Sequence, residues 1–215
     1  MILKRVKVNA GITDETNCYI IADEKTNEAM VIDPGGEPQK IIEMLDILKV
    51  DLKYIVLTHC HGDHIGGVEQ LKAEKGGTIL IHRIDSENLN NQMVTLTDYI
   101  SMPDIKLEAD SRLDHEDKIH IGEIEFLIIH TPGHTNGSIC LYCPEYSMLF
   151  SGDTMFRGTW GRTDLPTGSF EDVIHSITDR LIILPEDTIV YPGHGKPTMI
   201  KEEKPIYLDL EPKLY

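Results

Sequence analysis

The sequence predicts a single α+β domain spanning residues 1–215. Three observations carry that reading. Strand-like apolar runs occupy both halves of the chain. Runs of helical periodicity lie between some of them. Several apolar runs end in a polar cluster: YIVLTHCHGDH, FLIIHTPGH, MLFSGD and TIVYPGH. Side chains held at strand ends by a rigid scaffold are where chemistry normally sits.

The elements follow in order. LKRVKV alternates and turns at Asn9-Ala10-Gly11; NCYIIAD follows, then a turn near Lys25-Thr26-Asn27, then AMVID. Pro34-Gly35-Gly36 stops that strand. From Pro38 to Lys49 the residues Ile41, Ile42, Leu45 and Leu48 share one helical face. Tyr54 to Thr58 reads as a short buried strand, Gly66 to Lys75 as a helix ended by Gly76-Gly77, and Thr78 to His82 as a strand. Residues 86–117 are polar and weakly periodic, which predicts a surface loop with short helical pieces, a lid or a substrate wall. Strands resume at KIHIG, EIEFLIIH, SICLYC and MLFSGD; a helix is expected over Phe170–Leu184, then the strand TIVYPG. The final twenty residues carry three prolines and no clear periodicity.

Twenty Lys and Arg against thirty-six Asp and Glu give a net charge of −16. A primary grip on nucleic acid or an anionic membrane needs a basic footprint, so neither partner is expected. No run approaches the roughly 20 apolar residues of a membrane span, and no apolar run follows the basic N-terminus as in a secretory signal. Four cysteines are too few for a disulfide scaffold in a chain of this length, so a cytoplasmic location is expected. Cys140 and Cys143 are three apart in a strand-like run, on opposite faces, and read as two packed thiols rather than a redox or zinc pair.

The densest chemistry is His59-Cys60-His61-Gly62-Asp63-His64, with four potential ligands in six residues after a buried strand. Neutral imidazole and carboxylate suit zinc, iron and manganese ions. Three further strand ends offer His134 in TPGH, Asp153 in SGD and His194 in YPGH. Together these are five His and two Asp, enough for two adjacent metals.

Those residues sit in a wider set of segments: NCYII, VIDPG, THCHGDHIGG, NLNN, HTPGHTNGS, LFSGDTMFRGTWGRTDLPTGS and YPGHGKPT. With them the chain resembles the metallo-β-lactamase-fold hydrolases, in the glyoxalase II-like (hydroxyacylglutathione hydrolase-like) short branch. The resemblance implies a four-layer αββα sandwich with the metals at one edge. It implies two divalent ions, zinc first, with iron or manganese as alternatives. His59, His61 and His134 would hold the first; Asp63, His64 and His194 the second; Asp153 would bridge. Asp63 and Asp153 are the catalytic carboxylates of this reading. Two metals about 3.5–4 Å apart share a hydroxide that attacks an acyl carbonyl, and a thiolate, with a conjugate-acid pKa of about 8.5, leaves with little protonation. The expected substrate is therefore a small thioester or related acyl ester.

Around this set, Asp33 is expected to support the site, and His130 either to orient a ligand or to pack. Arg157 and Arg162 could hold a substrate carboxylate, or Arg162 could pair with Asp164. His82, His115, His120 and His175 read as surface or packing residues. Only 21 residues follow His194, whereas long glyoxalase II enzymes carry a helical domain there; the short relatives are the better match, with Ile206 in place of their usual proline. Two alternatives share the fold: a mononuclear Fe(II) persulfide dioxygenase using His59, His134 and Asp153, and another hydrolase such as a lactonase.

Overall fold

Strand alternation sorts the apolar side chains into three separate cores. In β2 (Thr16–Ala22), Cys18, Ile20 and Ala22 face one side while Tyr19 and Ile21 face the other. In β9 (Ile139–Cys143), Ile139, Leu141 and Cys143 face inward, and Cys140 and Tyr142 outward. Strands buried on both faces must be covered on both, which requires four layers.

The computed structural model describes residues 1–13 and 15–208. The first sheet runs β1 (Ile2–Val8), β2, β3 (Glu28–Ile32), β4 (Asp51–Leu57), β5 (Thr78–His82) and β6 (Ser111–Leu113). Its first three strands are antiparallel neighbours; β3 to β6 pair in parallel. Parallel pairing needs crossovers. They are supplied by α1 (Pro38–Leu48) between β3 and β4, and by α2 (Gly62–Ile65) and α3 (Val68–Lys75) between β4 and β5. Ile41, Ile42 and Leu45 of α1 and Val68 and Leu71 of α3 close the outer face of this sheet. Pro38 opens α1, where its missing N–H costs nothing.

Two short helices, α4 (Arg83–Ser86) and α5 (Gln92–Thr95), precede β6. The second sheet is ordered β14 (Thr198–Met199), β13 (Ile189–Pro192), β10 (Met148–Gly152), β9, β8 (Ile124–His130) and β7 (Lys118–Ile121). Its outer face is covered by α6 (Phe170–Ser176), a wider-wound turn over Ile177–Leu181, and α7 (Ile200–Leu208). A two-stranded hairpin, β11 (Met155–Phe156) and β12 (Thr159–Trp160), leaves the end of β10. Between the sheets lie Tyr19, Ile21, Met30, Phe126, Ile128, Leu141 and Phe150. The result is the expected αββα sandwich.

Several expectations change in detail. The helix expected from Gly66 to Lys75 is α3, which starts at Val68, and a further short helix, α2, precedes it within the HGDH segment. The helix expected from Phe170 widens after Ser176. Residues 86–117 hold a short helical piece as expected, α5, and also a strand that was not, β6. Helix α7 forms in the tail that shows no periodicity, despite Pro205 inside it. Its burial explains this. Tyr207 is fully buried in the outer core and donates its hydroxyl to Thr159 O at 2.6 Å. The four cysteines are free and buried, with Cys140 and Cys143 in different cores.

Phe126 is fully buried between the sheets, and its truncation leaves a cavity that neither sheet can close alone. Phe126→Ala is expected to lose about 3–5 kcal/mol of unfolding free energy. Urea unfolding measures this directly, and a loss below about 1 kcal/mol would contradict the packing described.

Candidate metal centre

All seven site residues named from the sequence meet at one edge of the sandwich, each delivered by the C-terminal end of a strand. β4 leads into His59 and His61, and α2, which starts at once, carries Asp63 and His64. β8, β10 and β13 lead into His134, Asp153 and His194. Backbone conformation allows this convergence. Gly152, just before Asp153, has φ +48°, and the β10–β13 register shifts there, which turns the carboxylate out of the sheet. A Cβ on Gly161 would lie 1.9 Å from Asp153 O, so only glycine lets the loop after β12 close over the site.

The ligand-type atoms form three tight groups, each within 4.8 Å: His59, His61 and His134; His59, His64 and Asp153; Asp63, His64 and His194. Asp153 lies where they meet. Its oxygens are 3.4 Å from His64 Nε2, 3.6 Å from His134 Nε2 and 3.5 Å from His194 Nε2.

Bonds directed away from the centre fix the imidazole tautomers. His64 Nδ1 donates to Asp33 Oδ2 at 2.9 Å, and His134 Nδ1 donates to Arg162 O at 2.8 Å. His194 Nδ1 donates to Glu15 O at 3.1 Å. His59 Nδ1 faces Thr58 Oγ1 at 3.1 Å, and that hydroxyl donates to Asp33 Oδ2 at 2.7 Å. In these four rings Nδ1 is thus the outward-facing nitrogen, and Nε2 is turned inward, where it offers a lone pair to a metal whenever the ring is neutral. His61 Nε2, His134 Nε2 and Asp153 Oδ1 are buried with no hydrogen-bond partner. An unpaired buried polar atom costs about 1–3 kcal/mol. Divalent cations would satisfy this donor set, so the residues fit a metal.

The charges divide the same way. Burial, reinforced by His64, His61 and His134, holds His59 well below the usual imidazole range. Burial, with His134 adding to it, takes His61 down to about 3. For His64 burial opposes the charge, yet Asp153, Asp33 and Asp63 outweigh it and raise the pKa. His194 is raised against burial by Asp153 and Asp63. Asp153 and Asp63 are lowered, because neighbouring imidazoles overcome the cost of burying the carboxylates.

Asp33 supports the site as expected, accepting from Thr58 N at 2.8 Å as well as from His64. His130 does not touch the cluster. Its ring bonds to Asn136 O at 2.8 Å and stacks on His82 at 4.0 Å, so it packs. Arg162 and Asp164 form a two-pronged pair at 2.8 and 2.9 Å, while Arg162 also borders the cleft. That cleft has a volume of about 410 Å³ and an apolar wall of Leu96, Tyr99, Ile100, Phe156 and Leu165. Part of the 86–117 segment thus lines the cleft.

One supporting residue went unread in the sequence. Asp85 is fully buried and accepts from Cys60 N at 3.0 Å, Thr135 Oγ1 at 2.7 Å and Gly137 N at 2.9 Å. It ties the loop carrying His59 and His61 to the loop carrying His134. No motif surrounds Asp85, and its role exists only once β5 is beside β4.

Residues 11–194 match the family model of the Metallo-beta-lactamase superfamily. The chain belongs to that superfamily. Within it, the chain is 35% identical over 192 residues to Hydroxyacylglutathione hydrolase GloC of Haemophilus influenzae, covering 88% of this chain and 90% of that protein. The crystal structure of the BLEG-1 B3 metallo-beta-lactamase superposes with a TM-score of 0.87 at 32% identity, covering 95% of this chain and 97% of that one. TTHA1623 in a di-iron-bound form gives a TM-score of 0.80 at 30% identity, covering 94% and 96%. No helix among the described residues is long and apolar enough to cross a membrane.

Two expectations follow. Asp85→Ala leaves the buried N–H groups of Cys60 and Gly137 without an acceptor and should cost about 2 kcal/mol or more, read by urea unfolding; an unchanged midpoint would contradict its role. In the metal-free protein, a raised pKa keeps His64 protonated above the usual imidazole range, whereas His61 stays neutral until the pH falls to about 3. Histidine-detected NMR at pH 5 should show His64 as imidazolium and His61 neutral. Equal titration of both near their ordinary value would contradict the charge division.

Proposed function

We propose that this metal-dependent hydrolase of the metallo-beta-lactamase superfamily cleaves a small thioester or related acyl ester at a site for two divalent ions, zinc first. The observation that carries the reading is Asp153, within 3.6 Å of imidazoles from both halves of the cluster. His59, His61 and His134 would hold one ion, and Asp63, His64 and His194 the other, with Asp153 reaching both. Bound divalent ions supply Lewis acidity at a carbonyl and a hydroxide nucleophile at neutral pH.

The chain's own groups do the rest. The side chain of Asp63, 15% exposed and 3.3 Å from His194 Nε2, faces the cleft, where it can accept a proton from an attacking water. The apolar wall of Leu96, Tyr99 and Ile100 excludes water from the acyl group and holds its carbonyl toward the cluster. A thiolate leaves without a strong general acid, because its conjugate acid has a pKa of about 8.5. The name of the GloC relative supports a thioester substrate. The acidic chain, at −16, favours neither nucleic acid nor an anionic membrane as partner.

A second reading keeps the same residues and changes the metal. TTHA1623, 30% identical, is known in a di-iron-bound form, and iron held by His59, His134 and Asp153 suits oxygen chemistry. The two readings separate in one assay. Thioester hydrolysis should proceed at the same rate with and without oxygen, and His64→Ala should lower kcat/KM at least about 100-fold. Persulfide-dependent oxygen uptake by a one-iron protein, with no hydrolysis, would overturn the proposal.

A further inference from the structure

Sheets that face one another in a sandwich normally meet through side chains, about 10 Å apart. At the edge that carries the cluster, the start of β2 and the chain after β13 approach to hydrogen-bonding distance instead. Thr16 and His194 form an isolated antiparallel bridge, and Asn17 N donates to Gly193 O at 2.7 Å. Two side chains of β2 complete the join. Asn17 Nδ2 donates to Pro192 O at 2.9 Å and to Gly195 O at 3.1 Å, and Tyr19 Oη donates to the same Pro192 O at 2.7 Å. The carbonyls of Pro192, Gly193 and Gly195, on both sides of His194, are thus all held by β2.

Local propensity does not explain Asn17. Asparagine is depleted in strands, and strand alternation puts this one on the inner face with Tyr19 and Ile21, where it is buried. A buried amide is costly unless its donors are bonded. Burial also pushes the pKa of Tyr19 up, so its hydroxyl stays a donor at neutral pH. What the two side chains hold is the least enclosed of the five imidazoles: the His194 side chain is 23% exposed, while His59, His61, His64 and His134 are buried. On its outward side His194 is held by main chain alone, through Glu15 O, one residue before β2. Its place therefore depends on β2 and the 192–195 turn keeping their register. The turn has no slack toward the site, since a Cβ on Gly193 would lie 2.3 Å from Asp153 Oδ1 and 2.6 Å from His64 Cε1.

We propose that Asn17 and Tyr19 are positioning residues for His194, and that they set the affinity of the second metal site, Asp63, His64 and His194, without altering the first. This rests on the two-ion reading and adds to it a separate control of the second ion. Asp63 and His64 follow a strand of the first sheet and His194 a strand of the second, so an ion held by all three bridges the sandwich. A join that already fixes the register spares that ion the entropic cost of ordering the His194 turn. The first site does not depend on the join: His134 is held by Arg162 O, and its loop by Asp85.

The test titrates the metal-free protein with zinc against a chromophoric chelator, in wild type, Asn17→Ala, Tyr19→Phe and Leu45→Ala. Leu45 is buried in the outer core of the first sheet, so its truncation lowers stability without touching the join. Asn17→Ala should weaken the second ion roughly 10–100-fold and leave the first unchanged, with histidine NMR assigning the weakened step to His194. Tyr19→Phe keeps the ring and removes one bond, and should weaken the same step by less; it decides alone where Asn17→Ala does not fold. Both ions weakened alike, neither weakened, or the same selective loss in Leu45→Ala would overturn the proposal. If wild type takes up only one ion, the two-ion reading fails, and the join is judged in the metal-free protein. There the His194 Nδ1 proton, bonded to Glu15 O, should exchange slowly with solvent in wild type and measurably faster in Asn17→Ala and Tyr19→Phe; equal exchange would overturn the positioning role.

Discussion

The carboxylate of Asp153 is the group around which the rest of the site is arranged. It is 9% exposed, has one oxygen without a hydrogen-bond partner, and lies against imidazoles from three different loops. A buried carboxylate in such company is tolerable only if positive charge faces it. In the metal-free chain, protons on His64 and His194 serve that purpose; divalent ions would serve it better, because they also satisfy the lone pairs of His59, His61 and His134. Charge balance and ligand geometry therefore demand the same occupant.

The fold follows from the need to hold this arrangement still. Two sheets buried on both faces deliver four strand ends to one edge, and carboxylates outside the cluster hold the loops. Asp33 sets His64 and, through Thr58, His59. Asp85 clamps the loops of His59 and His134 together. Glu203 does the equivalent at the periphery, for the hairpin that carries Arg157. Each is a buried acid whose partners are mostly backbone N–H or hydroxyl donors, so each orients without competing for a metal.

Much of this was legible in the sequence because its signals are local. The spacing of His59, His61, Asp63 and His64 is a six-residue pattern, and the short apolar runs of β2, β8 and β9 need no tertiary context to be recognised. His134, Asp153 and His194 were marked as further candidates by their places at strand ends, but how the seven divide between two metals was legible only by resemblance, since no spacing rule joins residues so far apart. What remained hidden depends on long-range packing. Three-residue β6 has too few positions to show a period. Helix α7 contains Pro205 and is held by Tyr207 and Glu203 in the outer core, not by its own propensity. Asp85 lacks a motif because its partners, Cys60, Thr135 and Gly137, come from two distant loops.

Anomalous diffraction from crystals of the zinc-loaded protein tests the central claim most directly. Two zinc peaks are predicted, about 3.5–4 Å apart on either side of the Asp153 carboxylate, one against His59, His61 and His134 and the other against Asp63, His64 and His194. A single peak at full loading, or zinc bound away from Asp153, would contradict the account.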